Sequence, residues 1–185
     1  MRDDRNRWAA APSEARPELV AQAVTARIVA IERQTVLSGD YSSCLELAGM
    51  CQPAVGSHEV ANGDSYAIRQ RRDRILIING VQLEDGWHEG TGVAIADMSS
   101  AYCVIEISGT DAERIIATGT EYSAATSSPS AARLWHGFSC LIYRHENKYR
   151  LHIRSAYLEA AWDMLQQQFV LVAQLQRANA ESYNP

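Results

Sequence analysis

The chain has 185 residues, 46% of them hydrophobic and 21% charged, with a formal net charge of −5. This is the composition of a globular protein with a real core, and it excludes disordered and fibrous classes. No apolar run approaches the roughly 18 residues of a membrane span, and the acidic balance removes any global case for a nucleic-acid partner. Met1-Arg2-Asp3-Asp4 leads into no apolar stretch, so no secretory signal is expected and the expected location is cytoplasmic. Cys44, Cys51, Cys103 and Cys140 form no CxxC pair and no Cys/His spacing of the zinc kind. Reduced thiols are the expectation, with Cys44 and Cys103 acting as small apolar residues.

Residues 1–24 are rich in Arg, Ala and Pro, with Pro12 and Pro17 interrupting any long helix. They are expected to form an N-terminal arm, carrying at most a short helix around Glu18 to Ala23, mobile alone and ordered, if at all, by a partner. Ile28 through Leu37 reads as one strand or two broken ones, and Ser38-Gly39-Asp40 then opens a helix. Tyr66 to Arg69 and Arg74 to Ile78 flank a polar tip and read as a hairpin. Seventy positions after the first strand–helix junction, Cys103-Val104-Ile105-Glu106-Ile107 runs into Ser108-Gly109-Thr110 and a second helix. Leu45 aligns with Ile115 and Gly49 with Gly119 in this register. Asp40 and Thr110 stand where N-caps belong, Glu113 completes a capping box with Thr110, and Gly49 and Gly119 stand where left-handed stops belong. A second hairpin follows, Cys140 to Arg144 and Tyr149 to Arg154, around Glu146-Asn147-Lys148. Ser155 is then expected to cap a long helix with an apolar stripe through Leu158, Ala161, Trp162, Leu165, Phe169, Val172 and Leu175.

The repeating unit is strand–helix–hairpin, so the expected fold class is α+β, built from two pseudo-repeated split βαβ (ferredoxin-like) halves with antiparallel sheet. The halves, about 25–82 and 93–170, share one domain over 25–170, and 171–185 is the helix end and tail. The helix is longer than one half needs, so its final turns are expected to cover a partner.

Candidates for chemistry are few. Glu84, Asp85, His88 and Glu89 gather carboxylates and a histidine beside Trp87, as acid–base work or a hard metal would use. Gly86, Gly90 and Gly92 in the same stretch favour a linker between the halves. Arg69, Arg71, Arg72 and Arg74 are the basic cluster, read as a solvated hairpin tip or as a docking patch for a phosphate- or carboxylate-bearing group, with Asp73 blunting its field. Arg150, His152 and Arg154 share one strand face by the two-residue period. That row reads as the wet side of a sheet, a contact with another subunit, or an anion site. Thr126 to Ser130 is a short biased loop with no nucleophile elbow, and neither GxGxxG nor GxxxxGK[ST] occurs.

Gly92-Val93-Ala94-Ile95-Ala96-Asp97-Met98-Ser99 and Ile105 to Ala112 resemble the "G-x-x-D-x-S … S-G-x-D-A" passage of aminomethyltransferase-like, folate-associated domains. Tyr149 to Trp162 resembles the ending of the gamma subunit of heterotetrameric sarcosine oxidase, and the length agrees with a gamma subunit. The resemblance covers about Thr25 to Gln168. It implies an aminomethyltransferase N-terminal-domain-like fold and a non-catalytic, structural role in a complex that oxidises sarcosine to glycine and passes the one-carbon unit to tetrahydrofolate. It further implies alpha, beta and delta partner subunits that hold FAD, FMN, NAD, tetrahydrofolate and zinc, with no catalytic, cofactor or metal residue transferred to this chain.

Three alternatives stay open. One is a subunit of a related N-methyl amino-acid oxidase or demethylase. Another is a stand-alone folate-binding or one-carbon transfer protein, with Asp97, Arg150 and Arg154 meeting the pteridine or glutamate groups. The third is a small enzyme built on the Glu84–His88–Glu89 loop.

Overall fold

The computed structural model describes residues 18–120 and 128–182. It is α+β with two mostly antiparallel sheets stacked face to face and helices on both outer sides. Residues 1–17 of the expected arm, and part of the loop through Thr126, lie outside the described residues.

The first sheet runs β1 (Leu19–Ala21), β2 (Val24–Val29), β9 (Tyr102–Ser108), β12 (Lys148–Arg154), β11 (Phe138–His145), β10 (Ala132–Trp135), with the short β4 (Val60–Ala61) parallel to β11. The second runs β5 (Tyr66–Arg71), β6 (Arg74–Ile78), β3 (Gln34–Ser38), β8 (Val93–Asp97), β7 (Gly86–His88). In the chain β2 leads into β3 and β8 leads into β9, yet β2 pairs with β9 and β8 pairs with β3. Each sheet therefore takes a strand from the other's stretch of sequence. Segment 19–23, expected as helix or arm, contributes strand β1. Val20 is solvent-exposed while its neighbours Leu19 and Ala21 pack on the core, the alternation of an edge strand. The expected linker likewise holds edge strand β7, paired with β8 from Gly86 to His88.

Helix α1 (Tyr41–Leu47) begins as expected, with Asp40 Oδ2 accepting from Ser43 N at 3.0 Å, and Gly49 follows it at φ +65°. Helix α2 (Ala112–Ala117) differs: its N-cap is Asp111, without a side-chain cap hydrogen bond, so the Thr110 capping box is not formed. Gly119 is not left-handed. A Cβ there would lie 2.6 Å from Trp135 Nε1 and 2.4 Å from His136 Cδ2, so it is a packing glycine. The glycines before the two helices mark close approaches. A Cβ on Gly39 would stand 2.7 Å from Gly92 O, and one on Gly109 (φ +109°) 2.2 Å from Ala23 O. Ser155 opens a 3₁₀ turn and donates its hydroxyl to Ser100 O at 2.7 Å instead of capping α3 (Leu158–Ser182). The α3 stripe from Leu158 to Val172 is buried as its period requires. Leu175's side chain lies outside the described residues, and α3 crosses the expected boundary at 170.

Three apolar clusters fill the layers. Leu151, Ile153, Ile105 and Ile142 meet α2 and α3 on the outside of the first sheet. Leu37, Ile75, Ile77 and Ile95 meet α1 outside the second. Ile68, Leu76, Ile78, Leu141 and Tyr143 fill the gap between the sheets. That gap is where the polar residues of both sheets converge.

Candidate functional site

Along β12 the side chains alternate, so Tyr149, Leu151 and Ile153 face the helices while Arg150 and His152 face the second sheet. The row expected to be wet is largely dry: His152 is fully buried and Arg150 half-buried, and only Arg154 at the strand end is exposed.

Glu106 on β9 is the anchor of this gap. Its side chain is 3% exposed, and Arg27 Nη2, Lys148 Nζ and Arg150 Nη2 stand 2.8, 3.1 and 3.0 Å from its oxygens. The strand register places them there, since β2 sets Arg27 opposite Glu106 and β12 sets Arg150 opposite it. Burial alone would raise the Glu106 pKa. Hydrogen bonds from Arg27, Lys148 and Arg150 outweigh it and hold the group at about 2.

From Arg150 a directed chain of hydrogen bonds crosses between the sheets. Arg150 Nη1 can only donate, and it donates to the Tyr66 hydroxyl at 2.8 Å. With the His152 ring neutral, its Nε2 accepts from the Tyr143 hydroxyl (2.8 Å), and Tyr143 in turn accepts from Tyr66 (2.8 Å). His152 Nδ1–H donates to Gln34 Oε1 at 3.0 Å, and Gln34 Nε2 donates onward to Tyr102 O at 3.1 Å. The Gln34 amide, oriented by its donation to Tyr102 O, makes Nδ1 the donor, so the neutral ring is the Nδ1–H tautomer. Burial, reinforced by the Arg150 charge, takes its pKa down to about 3. Burial also keeps both tyrosines protonated by raising their pKa values. The donors and acceptors of this chain are engaged with one another, so its chemistry is to align two sheets and hold them in register.

The folate candidates do not converge. Arg150 is committed to Glu106 and Tyr66. Asp97 is exposed at the end of β8, where its Oδ1 accepts from Ser99 N (2.9 Å) and Ser99 Oγ (2.6 Å), bonds that lower its pKa. Ser99 Oγ in turn accepts from Gln34 N at 3.0 Å, so the D-x-S passage ties β8 to β3. Arg154 lies at the far end of β12, about 13 Å along the strand from Arg150.

In the acidic loop, His88 Nε2–H donates to Glu84 O at 2.8 Å and Asp85 Oδ1 accepts from Asp97 N at 2.9 Å. These contacts shape the β7–β8 edge. Among the described residues no three His, Cys, Asp or Glu side chains gather as a metal site needs. Cys44 and Cys140 are buried, and burial pushes the Cys140 thiol up to about 12. A cleft of about 450 Å³ lies beside α1 and is lined by Met50, Cys51, Val55, Asn62, Asn79 and Val81 among others.

No protein-family model matches the chain, and no curated protein matches it by sequence. The fold does have solved counterparts. One is a chain of the heterotetrameric sarcosine oxidase from Corynebacterium sp. U-96, in complex with pyrrole 2-carboxylate, with TM-score 0.65 and 14% identity over 84% of this chain and 89% of that one. The two chains share a fold. No helix among the described residues is long and apolar enough to cross a membrane.

Sequence reasoning missed the centre of this arrangement: Glu106, Gln34, Tyr66 and Tyr143. Glu106 did carry a signal, a lone carboxylate in the strand Val104-Ile105-Glu106-Ile107, where a buried charge demands partners.

Proposed function

We propose that this chain is a structural, non-catalytic gamma-type subunit of a sarcosine-oxidase-like complex, the oxidative demethylation and one-carbon transfer to tetrahydrofolate being carried out by larger alpha and beta partners. The observation that carries the reading is the extent of the structural match, which takes in most of both chains, so the counterpart is a chain of similar size within a multi-subunit enzyme. The inter-sheet polar residues support it, because they are spent on one another and on holding two sheets together. In this reading FAD, FMN, NAD, tetrahydrofolate and zinc reside in the partner subunits, including a small delta chain. The two sheets are then two copies of one strand–helix–hairpin unit. The matching close approaches of Gly39 to Gly92 and Gly109 to Ala23, one before each helix, favour that view.

The test is purification of the tagged full-length chain from its native source. Larger chains with a flavin absorbance spectrum and sarcosine-dependent peroxide formation are the expected companions. A stable monomer that brings down no flavoprotein overturns the reading.

A further inference from the structure

At one end of the inter-sheet gap, three arginines from two sheets line a single small cavity. Arg71 and Arg74 come from the β5–β6 hairpin and Arg154 from the end of β12, around a volume of about 110 Å³ that Gln70, Tyr102 and Ser139 also line. The cavity is as large as roughly three or four liquid waters. That is room for one tetrahedral oxyanion, and too little for a folate ring system.

Its electrostatics are unbalanced. Arg71 and Arg74 are cross-strand partners, a like-charge pair of the kind that destabilises a sheet, and Arg154 adds a third charge from the opposite sheet. The ion pairs among the described residues centre on Glu106, and none reaches these three arginines. Arg74 Nε donates to Ser38 Oγ at 3.0 Å, which orients its guanidinium. Asp73, in the same hairpin, does not line the cavity; its charge acts on the Cys44 thiol on the α1 side.

A second, independent observation lies in the cavity wall. Gln70 is 9% exposed, and its carboxamide Nε2 is buried with no hydrogen-bond partner. A buried donor without an acceptor costs about 1–3 kcal/mol. Gln70 also lines the cavity, so a change of its side-chain rotamer brings this donor to an anion there, which supplies the missing acceptor.

We propose that this cavity binds a phosphate-type dianion, either free phosphate or the phosphate of a small monoester whose remainder leaves through the open side. Guanidinium forks match phosphate oxygens, and two negative charges offset most of the three clustered positive ones. This site is independent of the subunit role proposed above, since it rests on side chains of this chain alone.

The test uses the purified full-length chain, alone or with the subunits that accompany it. Inorganic phosphate and glycerol phosphate are titrated by calorimetry in a low-salt buffer, against sodium chloride at matched ionic strength. Saturable binding is expected for one or both phosphates, and the tighter one identifies the source. Arg154→Gln and Arg71→Gln, both at exposed positions, are each expected to weaken binding by about tenfold or more. Arg72→Gln removes the same charge from the turn outside the cavity and should change affinity by less than about twofold. Gln70→Leu is expected to lower phosphate affinity without lowering the stability of the free protein, because it deletes an unsatisfied polar group. The proposal is overturned if nothing saturates by about 10 mM phosphate, if chloride gives the same heats, or if Arg72→Gln costs as much as Arg154→Gln.

Discussion

Glutamine at position 106 would keep the shape of the side chain and remove its charge, which isolates the electrostatic part of the inter-sheet anchor. The carboxylate is held at about 2 against an ordinary value of 4.5. At ~1.36 kcal/mol per pH unit, the folded state gains at most about 3 kcal/mol from this carboxylate at neutral pH. Arg27 and Lys148 are 56% and 29% exposed, so water and salt screen their share; Arg150, at 13%, is the partner that glutamine would strand. The expected loss for Glu106→Gln at pH 7 is about 2–4 kcal/mol, or roughly 6–12 °C in Tm for a chain of this length.

The pH dependence is the sharper test. The folded pKa lies below the unfolded one, so the contribution is complete above about pH 4.5 and is lost as pH falls toward about 2. Urea denaturation of both proteins should therefore show their stability gap shrinking by about 2 kcal/mol between pH 5 and pH 3. A gap at pH 7 below about 0.5 kcal/mol, or one that stays constant down to pH 3, would refute the reasoning.

Further measurements probe other features of the fold. His152, taken down to about 3 from 6.5, contributes stability that is complete above about pH 6.5 and declines as pH falls toward about 3; its ring should show no NMR titration between pH 8 and 4 and should remain the Nδ1–H tautomer. Tyr143→Phe, which leaves Nε2 without a donor, should cost about 1–3 kcal/mol in denaturant melts, and a ring titrating near its ordinary value in the wild type would contradict the chain as drawn. Gly109→Ala should cost about 3 kcal/mol or more, since the new methyl group meets Ala23 O in a left-handed backbone. Gly63→Ala, left-handed but in open space, should cost only about 1 kcal/mol, and equal losses in thermal melts would argue against the close approach.

Local signals carried much of the fold. The α3 stripe, the Asp40 cap, the Gly49 stop and both hairpins follow from periodicity and turn chemistry, which act over a few residues. What periodicity supplies is which residues share a face; it is silent on what that face meets. Arg150 and His152 alternate with apolar residues as a solvated row would, and only the second sheet stacked on them makes the row dry. The same limit hid the exchange of β2 and β8 between sheets, because pairing partners about 60 to 80 residues apart leave no trace in local pattern. The three-residue strands β1 and β7 are too short for any alternation to be distinctive. In the arginine-rich hairpin the residue type was legible, while the approach of Arg154 from the other sheet was not.

The exchanged strands make the molecule an intramolecular clasp. A cut in the loop at 89–91 would give two fragments that each keep a strand the other's sheet requires, so neither half can complete its own sheet, and the pair should reassemble only together. Unfolding is then expected to be all-or-none, since releasing β2 opens one sheet and frees the chain leading into the other. Folding must close loops of about 60 to 80 residues before either sheet is finished, which places this chain among slow folders and favours synthesis beside whatever shelters its open edges.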